Sequence, residues 1–179
     1  MILPLIQKRR SIRKYRSKAV EPDKISALVE AALRSPSSMG YNPWEFVVVD
    51  DPKLLDTLSN AKPQGSAFIK NAPLGIVVCA DPEKSSVWIE DASIACIFIQ
   101  LTAESLGLGS CWIQIRERMH DQTKSAEAYI CEALNIPKKL KVEAMIAIGY
   151  PDEQKAPRPK EDLLYGKVHQ NLYGKPHKG

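Results

Sequence analysis

Arg9-Arg10-Ser11-Ile12-Arg13 places three guanidinium groups around one hydroxyl within five residues. A planar guanidinium donates to two oxygens at once and serine adds a short neutral donor, so the pattern suits a phosphate dianion. The cluster belongs to a basic run: from Lys8 to Lys18 there are seven cationic side chains, and no acid comes before Glu21. The chain as a whole has a formal net charge of +4, which leaves −3 for everything outside that run. Three readings are open for it: a solvated face, a patch for nucleic acid, or a specific site for a phosphate-bearing ligand. Beyond Tyr15 no aromatic residue is interleaved with the run, which argues against nucleic acid.

A second stretch bears on the choice. Ser35-Pro36-Ser37-Ser38-Met39-Gly40-Tyr41-Asn42-Pro43-Trp44 combines small hydroxyl residues with glycine and proline, and leads directly into the apolar Phe46-Val47-Val48-Val49. Such a composition describes a loop with free backbone donors, pinned by Pro43 and Trp44 to a core strand. Trp44 reads as a packing residue, and Met39 and Tyr41 as either loop packing or a substrate face. Cys79, Cys96, Cys111 and Cys131 are widely spaced, and His120, His169 and His177 lack ligand spacing, so neither a disulfide nor a structural metal is expected. No histidine lies near Cys111 in sequence, and it reads as a buried inert thiol.

The elements that must position these residues alternate in type. Ile2 to Arg9 predicts a short amphipathic helix, and Pro22 to Leu33 a clearer one with Ile25, Leu28, Val29, Ala32 and Leu33 on one stripe. Strands are expected over Phe46–Val49, Leu74–Ala80, Cys111–Ile115 and Val142–Gly149. Helices are expected over Pro52–Ala61, Trp88–Leu106 and Lys124–Leu134, the middle one apolar on most of its circumference. Alternation alone suggests a parallel, doubly wound sheet. The 179 residues are 44% hydrophobic, enough for one domain with a real core and a polar tail after Pro151. No window approaches a membrane span, and Met1–Ile6 is too short for a signal-peptide core, so a cytoplasmic protein is expected.

The chain resembles the FMN-dependent nitroreductase family. The resemblance rests on Arg9-Arg10-Ser11-Ile12-Arg13-Lys14-Tyr15, on Pro36-Ser37-Ser38 with Asn42-Pro43-Trp44, on Gly107-Leu108-Gly109-Ser110-Cys111-Trp112-Ile113, and on Ile148-Gly149-Tyr150-Pro151 followed by Arg158 and Lys160. These blocks stand in the family's order and cover nearly the whole chain. The resemblance implies an α+β fold with a mainly antiparallel central sheet flanked by helices. It further implies one domain over 1–179, an intertwined homodimer, and a C-terminal extension over 152–179 reaching the partner. A nearly all-apolar helix such as Trp88–Leu106 suits a dimer core, the other reading being the central helix of a monomer.

It also implies roles. Arg9, Ser11 and Arg13, with Arg10 close by, would contact the FMN phosphate, ribityl chain or pyrimidine edge, and Arg158 and Lys160 would form a second anchor. Pro36, Ser37, Ser38, Met39, Gly40 and Asn42 would reach the flavin of the opposite subunit. Cys111, Trp112, Ile113 and Gln114 would run behind the ring and offer backbone groups. Many relatives carry asparagine in place of Gly40 and glutamine in place of Asn42; backbone donors at Ser38, Met39 and Gly40 are the available substitutes. The implied reaction passes hydride from NADH or NADPH to the flavin and on to a nitroaromatic, quinone or similar small-molecule acceptor, with no protein acid or base required. Two alternatives stay open: a flavin-binding module without turnover, and a different flavin reaction such as dehydrogenation or dehalogenation.

Overall fold

The structure, a computed structural model, describes residues 1–177. Residues 178 and 179, the end of the expected extension, lie outside the described residues.

Four strands form one sheet in the order β1-β2-β4-β3: β1 (Trp44–Val49), β2 (Leu74–Ala80), β3 (Gly109–Gln114) and β4 (Lys141–Gly149). Every neighbouring pair is antiparallel. The parallel arrangement that alternation suggests is therefore absent among the described residues, and the family-based expectation of an antiparallel α+β fold holds. β2 and β4 lie in the middle, and every residue of β2 is buried. That is why β2 reads as an unbroken apolar run and β4 as one interrupted only by Glu143 after its opening Lys141.

Helices cover both faces. On one face α2 (Pro22–Leu33) and α4 (Trp88–Ser105) pack against Leu74, Ile76, Val78, Ile146 and Ile148. On the other, α3 (Pro52–Ser59), α5 (Ala126–Leu134) and a 3-10 turn at Ala67–Asn71 pack against Val77, Cys79, Met145 and Ala147. Each large side chain buried in these layers, such as Leu28, Leu58 or Ile99, contributes about 1.5–3 kcal/mol. Local signals start the helices: Asp51 accepts from the Lys53 N–H at 2.7 Å and Ser125 from the Ala128 N–H at 3.0 Å. Asn135 closes α5 in the left-handed conformation at φ 53°.

Two expectations need correction. Leu33 ends the stripe of α2 exposed rather than buried. The first helix, α1 (Ile2–Lys8), buries none of its residues, and Ile2, Leu3 and Ile6 face outward. An ion pair from Lys8 to Glu104, 3.3 Å, ties its end to the last turn of α4. No helix among the described residues is long and apolar enough to cross a membrane.

Candidate active site

The arginine cluster lies along the start of β3. Ser11 bridges Ser110 in parallel, and the Ile12 N–H donates to the Ser110 carbonyl at 3.0 Å. Ile12 and Tyr15 are buried and anchor the segment, leaving Arg9, Arg10 and Ser11 half-buried and Arg13 exposed. The approach is close enough to require glycine at 109: a Cβ there would stand 2.8 Å from Ile12 Cβ and Cγ1. The Arg13 guanidinium lies over the Phe68 ring at 5.6 Å.

The chain after β4 returns to clamp this segment. The Glu153 carboxylate accepts from the Arg13 and Lys14 N–H groups, and these backbone donors, the first above all, hold its carboxyl below the usual range. Lys155 donates to the Ser11 carbonyl at 2.6 Å and pairs with Glu153 at 3.1 Å. The Arg10 guanidinium donates to the Ala156 carbonyl. Beyond that bond Arg158 and Lys160 are exposed. Two residues of chain keep Arg158 within about 7 Å of Ala156, at the rim of the cluster.

β3 is an edge strand, and its side chains divide by alternation. Cys111 and Ile113 are buried on the side of the α3/α5 core, whereas Trp112 packs with the α4 side and donates its indole N–H to Gln114 Oε1 at 2.9 Å. Gln114 in turn donates to Glu143 Oε1 at 3.3 Å, a carboxyl that burial pushes up. The four strand residues expected at the site therefore do not share a face. What they share is the free backbone edge. The Ser110 carbonyl accepts from Ile12 there and the Gln114 carbonyl accepts from Lys62 Nζ at 2.9 Å, so the Trp112 peptide groups face outward between them.

Burial raises the Cys111 thiol, while Arg13, Ser11, Lys155 and Arg9 pull it the other way. The net shift is upward, away from a reactive thiolate. Lys62 adds a cation at the far end of the edge, about 13 Å along the strand from Ser110. Desolvation first, then Arg118, lowers its ammonium. Neither Lys62, Lys155 nor Glu153 stood out in the sequence: Lys62 is a single charge in a connecting segment, and Glu153 and Lys155 lie in a mixed-charge stretch after Pro151.

The serine-rich loop has a different construction. Ser38–Gly40 forms a 3-10 turn with Met39 at φ 51°, Gly40 at φ 70° and Asn42 at φ 47°. The Ser37 hydroxyl donates to Asn42 Oδ1 and accepts from the Asn42 N–H, both at 2.9 Å, closing the loop on itself. Of the three backbone donors expected to face a ligand, the Ser38 N–H goes to Asp91 Oδ1 at 2.8 Å and the Gly40 N–H to the Ser37 carbonyl at 3.1 Å. Met39 N–H is the remaining donor without a partner among the described residues. Met39 and Tyr41 are both exposed. A Cβ at Gly40 would meet nothing within 4 Å. Trp44 packs as expected, 8% exposed and 5.4 Å from the Phe46 ring.

The two halves of the expected site do not meet in one chain. The loop docks on Asp91 in the first turn of α4, and the arginine segment adjoins its last turn through Lys8 and Glu104. Thirteen residues of helix separate those contacts by about 20 Å. Ile94, Ile97 and Phe98 on the intervening helix are exposed at helical spacing.

A model of the nitroreductase family matches residues 6–65 and 55–150. An FMN-dependent nitroreductase from Clostridium difficile superposes with a TM-score of 0.94 at 52% identity, over 96% of this chain and 99% of that one. A protein of Archaeoglobus fulgidus provisionally named NADH dehydrogenase/NAD(P)H nitroreductase is 36% identical over 86% of this chain and 87% of its own length. An FMN reductase [NAD(P)H] from Bacillus subtilis is 25% identical over 84% of this chain and 66% of its own length. With matched residues running through the arginine segment, the serine-rich loop and β3, the chain belongs to the nitroreductase family.

Proposed function

We propose that this protein is an FMN-dependent oxidoreductase that takes reducing equivalents from NADH or NADPH and delivers them to a nitroaromatic, quinone or similar acceptor, acting as a homodimer. The observation that carries the reading is the basic cradle along the free edge of β3. Arg9, Arg10, Arg13 and Lys155 gather at one end of an open strand edge and Lys62 stands at the other. These donors fit a flavin mononucleotide, which has a dianionic phosphate at one end and a ring that gains electron density on reduction at the other. When bound, FMN supplies the two-electron chemistry.

The residues then divide the work. Arg9, Arg13 and the Ser11 hydroxyl hold the phosphate and the polar chain behind it, and Arg158 and Lys160 close over them from the tail. The Trp112 peptide groups align the ring edge, and Lys62 stabilises negative charge that develops beside it. Pro36, Ser37, Ser38, Met39, Gly40 and Asn42 arrive from the second subunit, since 20 Å of helix keeps each chain's loop from its own cradle. The exposed Ile94, Ile97 and Phe98 face of α4 is then the seam of the dimer, and the tail after Ala156, with Leu163, Leu164 and Tyr165 exposed, reaches across it. Cys111 serves only as packing.

The test is an absorbance spectrum of purified, FMN-incubated and desalted protein, recorded before and after anaerobic addition of NADH or NADPH. About one flavin per chain that bleaches with nicotinamide is the expected result. Flavin that stays oxidised points to a binder without turnover, and absence of bound flavin overturns the proposal.

A further inference from the structure

Asp91 is an acid in a place where an acid is expensive. It is 2% exposed in the first turn of α4, on a helix otherwise dominated by Ala92, Ala95, Cys96 and Ile99 toward the core. No cation pairs with it among the described residues. A buried carboxylate without an ionic partner is costly, and the amide end of the helix offsets only part of that cost. A neutral residue of similar volume would serve the core better. Its two oxygens point to another purpose: Oδ1 accepts from the Ser38 N–H at 2.8 Å and Oδ2 from the Ser85 hydroxyl at 2.9 Å. Ser85 is itself buried and accepts from the Val87 N–H at 3.3 Å, so the carboxylate sits between the serine-rich loop and the rigid entry to α4.

The loop depends on that anchor. Its other hydrogen bonds from Pro36 to Asn42 are internal, and two non-glycine residues, Met39 and Asn42, are held in the left-handed region. Such a conformation persists only where the surroundings over-determine it. We propose that Asp91 is a positioning residue for the flavin site completed by the partner subunit: it fixes the 3-10 turn on α4 and so sets where Met39 N–H and the Ser38 hydroxyl meet the other chain's cofactor. The inference rests on the function proposed above.

The test compares Asp91→Ala, Asp91→Asn and wild type for FMN affinity and for kcat and KM with one quinone acceptor. Asparagine keeps both bonds, its carbonyl accepting from Ser38 and its amide donating to the Ser85 oxygen. The alanine variant is expected to bind FMN roughly tenfold more weakly and to raise the acceptor KM, while the asparagine variant stays within about threefold of wild type. Co-expressed, differently tagged Asp91→Ala and Arg13→Ala chains supply the decisive arm. Their heterodimer contains one site with an intact cradle and an intact loop, and is expected to hold about one FMN with wild-type affinity, where both sites of each parent homodimer bind it more weakly. Wild-type FMN affinity in the alanine variant overturns the proposal, as does an asparagine variant equally impaired, which would mean charge rather than position. A heterodimer with no restored site overturns the action across subunits. Should the alanine variant fail to fold, the asparagine variant still decides. If wild type takes up no FMN, the function proposed above fails first and this inference falls with it.

Discussion

The cradle at the start of β3 is tied down along its whole length, whereas among the described residues the Pro36–Asn42 loop makes one hydrogen bond outside itself, from Ser38 to Asp91. In the cradle the charged groups of Glu153, Lys155 and Arg10 each hold a backbone N–H or carbonyl of the facing segment. In the loop, position comes from left-handed backbone at Met39, Gly40 and Asn42. On the proposed function, one region would recognise FMN by what its side chains carry and the other by where its peptide groups are placed. The difference teaches which mutations matter: charge removal should injure the first region, and geometric release the second.

The largest effect is expected from Arg13→Ala, which removes a charge-assisted contact. By the usual worth of such bonds, about 1.5–3 kcal/mol, FMN should bind roughly 10- to 100-fold more weakly in a fluorescence titration. Unchanged affinity would take Arg13 out of the cradle. Next comes Gly109→Ala, whose new methyl group would stand 2.8 Å from Ile12. Overpacking of that kind costs about 1–3 kcal/mol, and denaturant unfolding should register it together with weaker flavin binding. If stability falls and flavin affinity does not, the strand edge is not what seats the ligand.

Lys62→Met keeps most of the side chain's length and removes its charge. Flavin reduction by NADH, followed by stopped flow, should slow several-fold with FMN affinity changed by less than about threefold, because the charge acts where electron density develops. Equal loss in both would make Lys62 a mere tether. Glu153 gives a pH test of the clamp. Its folded-state value lies below the ordinary 4.5, so its contribution is present above that value and disappears as pH falls through the lower, folded one. Thermal stability of wild type should therefore drop more steeply than that of Glu153→Gln on acidification below about pH 4.5. The smallest effect is expected from Gly40→Asn: the space is open and asparagine tolerates φ 70°, so stability should stay within about 0.5 kcal/mol. A larger loss would mean the loop is more confined than its surroundings imply.

The contrast also explains what the sequence conveyed. β2 and β4 were legible because both faces are buried and their residues run apolar, without interruption in β2 and with Glu143 as the one break after Lys141 in β4. β3 begins at Gly109, two residues before the apolar Cys111-Trp112-Ile113 run, because Gly109 and Ser110 pair with Gly149 and Ile148 although neither favours strands. The sheet's antiparallel sense was not readable from alternation, since helical connections serve both arrangements when strands are not adjacent. Within the site, the arginines announced themselves by clustering. Lys62 and Asp91 did not: one is a single cation in a connecting segment, the other an acid on an apolar helix whose orientation the sequence left undecided. Their importance comes from tertiary contacts with Gln114 and Ser38, which no local pattern encodes.

The length of α4 has a consequence for dose. Because it holds a chain's loop and cradle about 20 Å apart, an isolated chain would, on the proposed function, carry two half-sites and no complete one. On the reading proposed here, the concentration of working sites follows the dimer rather than the chain, so specific activity should fall on dilution through the dimer dissociation constant and return on reconcentration. A helix that looks like simple scaffolding thereby makes turnover report on how much of the protein is present.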